Sequence, residues 1–140
     1  MTVAIEVTED VAICIGLRME VFVGEQGIPV EEEIDAYDDD AVHLLAVDEN
    51  VPVGTARLLL LGDTGRIGRV CVVKSHRGTG LGAALITAGL THFSTLEGVR
   101  RAYLSAQVQA LGFYEKLGFV PYGREYDDAG ISHRDMERLL

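Results

Sequence analysis

Between Arg77 and Gly82 the chain reads Arg-Gly-Thr-Gly-Leu-Gly, a run whose residue types and spacing could do chemistry. Glycines at alternate positions let the backbone approach a ligand closely and leave N–H groups pointing outward. The β-branched run Val70 to Val73 just before it suits a buried strand. The apolar stretch after it, with Leu81, Leu85, Ala88 and His92 along one side, suits a helix. Strand, glycine-rich turn and helix N-terminus together receive a phosphate, because unsatisfied N–H groups and the positive end of the helix dipole both favour an anion. Arg77, Gly78, Thr79, Gly80, Leu81 and Gly82 therefore read as a pyrophosphate cradle. A turn that serves only as a helix cap is the plain alternative, but one glycine suffices for a cap.

Two other phosphate motifs are excluded by spacing. A dinucleotide fingerprint needs G-x-G-x-x-G near the start of a βαβ unit, with an acidic residue about 20 positions later. Here the glycines fall at 78, 80 and 82, past the middle of the chain, and the later residue is Glu97 in a polar turn. A P-loop would require Gly-Lys-Ser/Thr, which is missing.

A second concentration of chemistry is acidic. No Lys or Arg occurs from Met19 to Ala56, while Glu20, Glu25, Glu31, Glu32, Glu33, Asp35, Asp38, Asp39 and Asp40 crowd together. Such a block is either a solvated loop or one wall of a substrate cleft. Arg18 is expected to partner it.

The elements that must position these groups follow from periodicity. Val3 to Val7 alternates as a strand, and Thr8 is the expected cap of a helix carrying Ile13, Leu17, Glu20 and Val21 inward. His43 to Val47 and Val53 to Leu61 are strands joined by a hairpin turn, Asp48 to Pro52. Gly62 to Gly65 turns into a strand from Ile67 to Val73. After the cradle helix come a short strand from Ala102 to Ala106 and a helix over Gln107 to Leu117. A strand then begins at Gly118, and a last one runs from Ile131 to Leu139. The order β-α-β-β-β-α-β-α-β-β predicts an α/β fold, a mixed and mostly antiparallel sheet flanked by helices, in one domain spanning 1–140.

Composition narrows the setting. The 140 residues are 48% hydrophobic and carry a net charge of −10, which argues against nucleic acid and anionic membrane and allows a cationic partner. No apolar run nears the roughly 20 residues of a membrane span. The N-terminal residues lack a signal-peptide pattern, and Cys14 and Cys71 sit in apolar stretches, so a cytoplasmic protein with reduced thiols is expected.

The cradle and its strand resemble motif A of the GNAT N-acetyltransferase superfamily, in which Arg or Gln is followed, after two residues, by Gly-x-Gly/Ala behind a Val-rich strand. Arg77, Gly80 and Gly82 match it. Ala110-Leu111-Gly112-Phe113-Tyr114-Glu115-Lys116-Leu117-Gly118-Phe119 resembles the family's A-x-x-x-Y-x-x-x-G-F segment, with Gln107 where the family often has Asn. Arg18, Val21, Phe22, Glu25 and Gln26, with Glu33, Asp35 and Asp38, are similar to small ElaA-like members. The same residues resemble acyl-homoserine-lactone synthases, although this chain is short and has no Trp.

The resemblance implies acetyl-CoA as co-substrate, a small amine as acceptor, no metal, and compatibility with a homodimer. Backbone groups of Val70, Cys71 and Val72 would hold the pantetheine arm, together with Gln107 and Tyr114. An N–H near Val72 would polarise the thioester oxygen. A phenol has an ordinary pKa of about 10 against roughly 8.5 for a thiol, so Tyr114 could protonate the leaving thiolate. Glu25, Glu33, Asp35 and His43 stand as candidate bases. Arg18, Phe22, Glu25 and Asp35 are candidates for substrate contact. A synthase-like reaction or a non-catalytic CoA-binding module are the competing functions.

Overall fold

The computed structural model describes residues 3–140. Seven strands form one sheet in the order β1-β2-β3-β4-β5-β7-β6. They are β1 (Val3–Thr8), β2 (Val42–Asp48), β3 (Val51–Leu61), β4 (Thr64–Val72), β5 (Arg101–Gln107), β6 (Val120–Asp128) and β7 (Ile131–Leu139). Every neighbouring pair is antiparallel except β4 and β5. The expected mixed, mostly antiparallel sheet is what the chain forms. Among the described residues no helix is long and apolar enough to cross a membrane.

The helices cover both faces. On one face lies α1 (Val11–Arg18), continued by a π-helical stretch, Met19–Glu25. Asp10, not Thr8, caps α1: its carboxylate accepts the Ile13 N–H at 3.3 Å, while Thr8 Oγ1 accepts the N–H of Asp10. The inward side of α1 is Cys14, Leu17 and Arg18, with Val21 beyond. Ile13, expected inside, is 38% exposed. Two short turns follow, α2 (Val30–Glu33) and a 3₁₀ turn, Ala36–Asp39.

The other face carries the main core. There α3 (Leu81–Ser94) buries Leu85, Ile86, Leu90 and Phe93 against Leu58, Ile67 and Leu104 of the sheet. Gly65 makes room for this packing, because a Cβ there would lie 2.5 Å from the Phe93 ring. The helix expected over Gln107 to Leu117 is shorter: a 3₁₀ turn, Val108–Ala110, then α4 (Leu111–Glu115). The first hairpin is also tighter than expected. Its turn is Glu49-Asn50, both at positive φ, with Val51 and Pro52 already in β3.

One feature of the sheet positions the site. β4 and β5 pair only through Thr64↔Arg101, Gly65↔Ala102 and Arg66↔Tyr103, and then diverge. A bulge accompanies the divergence, since Arg57 faces Gly68 and Thr55 faces Cys71, which leaves Ala56 opposite both Arg69 and Val70. Arg69 takes φ 50° to make the bend.

Candidate active site

Strand alternation decides which groups face the fork between β4 and β5. The Val73 N–H donates to the Val53 carbonyl at 2.9 Å, so by alternation Cys71 also spends its backbone on β3 and Val72 points the other way. The carbonyl of Val72 accepts from Arg77 Nε at 3.0 Å, which agrees with that direction. Val70 lies at the bulge and lines the cleft. Cys71 is corrected as a cofactor contact: its backbone faces β3, its side chain is 5% exposed in the α1-side core, and burial pushes its thiol up to about 12.

The turn beyond β4 has the geometry of an anion receptor. Gly80 is the N-cap of α3 at φ 85°, with no side chain capping the helix, so the first N–H groups of α3 are open. Gly78 is left-handed as well, at φ 75°, and a Cβ at either position would meet only open space. Thr79 Oγ1 donates to the His76 carbonyl at 2.6 Å and holds the turn. The Leu81 side chain is core, so only its backbone can serve a ligand. Arg77 is anchored rather than free, paired to Glu25 at 2.7 Å. These residues fit a pyrophosphate: the first N–H groups of α3 are uncapped, space beside the glycines is open, and the nearby cation is held in place.

Below the turn, a cleft of about 270 Å³ opens from the fork. It is lined by Phe22, Gln26 and Ile28 from the segment after α1, by Ser105 and Gln107 of β5, and by Tyr114 of α4 and His133 of β7. Tyr114 packs edge-on against Phe113 and Phe119, at 5.0 and 6.2 Å between ring centres. Its hydroxyl makes no hydrogen bond to a protein group among the described residues, and desolvation raises its pKa above the ordinary phenol value. Gln107 donates to Gln26 Oε1 at 3.1 Å and accepts from Gln109 at 2.6 Å.

The model of the acetyltransferase (GNAT) domain family matches residues 9–140 of this chain. This protein belongs to the GNAT acetyltransferase family. It is 40% identical over 121 residues to YjcF of Bacillus subtilis, an uncharacterised N-acetyltransferase, covering 86% of each chain. It is 35% identical over 127 residues to ElaA of Escherichia coli, covering 87% of this chain and 82% of that one. Superposed on the ElaA crystal structure the TM-score is 0.87, with 98% of this chain and 99% of that one covered. An acyl-CoA N-acyltransferase from Pseudomonas aeruginosa gives a TM-score of 0.86 at 31% identity, with 98% of each chain covered. Membership supports acyl transfer from an acyl-CoA.

Within this GNAT domain the acidic block divides: Glu20, Glu25, Glu31, Glu32, Asp39 and Asp40 are exposed, as a solvated loop would be, and Asp35 is half-buried. Glu33 and Asp38 are buried, and three arginines meet them. Arg18 Nε donates to Glu33 Oε1 at 2.5 Å, and its Nη1 to Asp38 Oδ1 at 2.7 Å. Arg57 binds Asp35 at 2.7 Å and Asp38 at 3.2 Å. Arg69 pairs with Glu33 and Asp35, each at 3.1 Å. Desolvation alone would raise Asp38, but its bond and charge contact with Arg18, and then Arg57, hold it below the usual carboxylate range. Asp35 is lowered in the same way, desolvation being outweighed by Arg57 first.

This network removes the acidic candidates for base. Both oxygens of Glu33 are paired with arginines, although the residue lines the cleft. Asp35 is bound by Arg57 and Arg69, and Glu25 is tied to Arg77; neither lines the cleft. His43 is 2% exposed, bonded through Nε2 to the Asp38 carbonyl at 2.9 Å, and also absent from the cleft lining. Arg18 does partner the block as expected, but at 1% exposure it cannot touch a substrate. Among the substrate candidates, Phe22 alone reaches the cleft. Sequence reasoning missed Arg57 and Arg69. The signal was available: a block with no cation over 38 positions must take its counter-ions from the strands that follow.

Proposed function

We propose that this protein transfers an acetyl group from acetyl-CoA to the amine of a small acceptor by direct attack. The observation that carries the reading is the fork itself. The Val72 backbone is directed away from β3, the uncapped α3 N-terminus follows it in the chain, and Tyr114 and Val70 line the cleft that opens from the fork. Backbone N–H groups of the turn and of the first turn of α3 would bind the pyrophosphate, with Arg77 adding charge. Val70 and Val72 would hold the pantetheine arm by backbone bonds, with Gln107 closing the arm's far side.

The chemistry then follows from what these groups can do. The Val72 N–H polarises the thioester oxygen, where negative charge grows as the amine nitrogen attacks the carbonyl carbon. A C–N bond forms, the nitrogen gives up a proton to solvent, the C–S bond breaks, and sulfur takes the bonding pair. Tyr114, an un-ionised phenol in a desolvated wall, gives sulfur its proton. The volume of the cleft, about 270 Å³, suits a short acyl group and a small acceptor.

The test is release of free CoA thiol from acetyl-CoA in a panel of primary amines, with the acetylated amine identified by mass. Release that depends on both amine and protein is expected. Tight CoA binding with no thiol released across the panel would identify a CoA-binding module instead. Thermal stabilisation by S-adenosylmethionine, but not by acetyl-CoA, would favour a homoserine-lactone-synthase-like reaction.

A further inference from the structure

The acceptor amine is protonated near neutral pH and has to lose a proton to attack, yet every acidic candidate above is spent on an arginine. His133 on β7 is differently placed. It lines the cleft, opposite Gln107 of β5 on one side and Tyr126 of β6 on the other. Its Nδ1 lies 2.7 Å from the Ile131 carbonyl, which only accepts, so Nδ1 carries the hydrogen. In the neutral ring the lone pair is therefore on Nε2, which makes no bond to a protein group among the described residues. The ring lies beside Tyr126 and nearly parallel to it, 6.1 Å between centres at 24°. Tyr126 is itself fixed, donating to Asp135 Oδ1 at 2.6 Å and bonded to Ser105.

We propose that His133 Nε2 is the general base that takes the proton from the acceptor amine, an assignment that rests on the acetyltransferase reading. The ammonium gives one proton to Nε2, which passes it to solvent; once the C–N bond has formed the nitrogen releases a second proton to solvent, while Tyr114 protonates the sulfur and regains its proton from solvent. The sum is amine cation plus thioester giving amide, thiol and one released proton.

The groups facing the imidazole are known from each neighbouring element. On β7 itself Asp135 shares its face of the strand, and from β6 come Tyr126 and Asp128. From β5 come Ser105 and Gln107, and across the cleft stand Glu32, Glu33, Arg66 and Arg69. Glu33 and Arg69 are paired to each other. Proton uptake at Nε2 thus takes place in a cleft holding both signs of charge.

The test compares two kinds of acceptor in His133→Asn, which keeps an N–H for the Ile131 carbonyl but has no base at the Nε2 position. The alkylamine probe is whichever of ethanolamine, putrescine and benzylamine the wild type acetylates fastest; hydroxylamine, largely neutral near pH 7, is the second. Turnover of the alkylamine should fall about 10²–10⁴-fold, while hydroxylamine turnover falls far less. The melting temperature and the Michaelis constant for acetyl-CoA should stay unchanged. In His133→Ala, added imidazole should restore part of the alkylamine rate. Equal losses with both acceptors, or alkylamine turnover within about threefold of wild type, would overturn the assignment. A wild type that releases no thiol with any of these acceptors would overturn the acetyltransferase reading, and the base with it.

Discussion

Tyr114 separates packing from chemistry within a single side chain. Its ring belongs to the core edge, between Phe113 and Phe119, while its hydroxyl has no protein partner among the described residues and the side chain lines the cleft. Tyr114→Phe removes the hydroxyl and leaves the ring contacts in place. CoA affinity, measured by calorimetry, is expected to be unchanged, while kcat falls about 10²–10⁴-fold. A rise in KM alone would mean the hydroxyl only orients substrate. Burial raises this phenol, so it keeps its proton at neutral pH and beyond, and an alkaline limb from its ionisation should lie above the ordinary value of about 10. A pH–rate profile of wild type against Tyr114→Phe reads this directly.

At the scale of elements, a turn and a strand junction each depend on one glycine for different reasons. Gly80 needs its left-handed φ of 85° to present the α3 N-terminus. Gly80→Val strains that conformation and puts a branched side chain where the pyrophosphate would lie. Losing one or two charge-assisted bonds should raise the CoA dissociation constant about 10–100-fold, with the protein still folded by circular dichroism. Unchanged affinity would remove the cradle from the site. Gly65 instead sits at the parallel junction of β4 and β5, under Phe93. Gly65→Ala forces that ring out of its place in the core and should cost about 1–3 kcal/mol by denaturant unfolding. A neutral result would show that the core at the base of the fork can yield.

Across the whole molecule, the buried charges tie the helical segments before β2 to the paired strands β3 and β4. Three guanidiniums and three carboxylates link α1, α2, the 3₁₀ turn, β3 and β4. Removing Arg18 by Arg18→Met leaves Glu33 and Asp38 buried with half their partners. Loss of one member of such a network costs about 3–5 kcal/mol, a melting shift on the order of 10 °C. Acid should act on the same groups. Asp35 and Asp38 are held below their unfolded value of about 3.9, so their contribution is complete above that pH and is lost as pH falls through the lower folded values. Stability measured by urea unfolding should therefore drop steeply below about pH 4, and the drop should be shallower in Arg18→Met, where Asp38 has lost the guanidinium that lowers it. A flat profile between neutrality and pH about 3 would mean the network adds nothing to folding.

By itself the sequence determined what depends on near neighbours. The valine run, the alternate glycines and the apolar helix after them specify strand, cradle and helix through local propensity, and the order of elements followed from the same periodicities. Tyr114 was legible as a candidate because the resemblance to the family's A-x-x-x-Y-x-x-x-G-F segment carries it. The tertiary structure decided what depends on which distant strands lie side by side. Arg57 and Arg69 reach Asp35, Asp38 and Glu33 only because β3 and β4 run beside the acidic turns, and this locks three carboxylates of a block whose other acids stay exposed. Cys71 lost its cofactor role to register, since a one-residue shift turns a strand's backbone groups to its other neighbour. His133 could not be ranked among the bases in the sequence. Its tautomer depends on a carbonyl two residues away and its cleft on a fork opened by a bulge, both set by packing rather than by spacing.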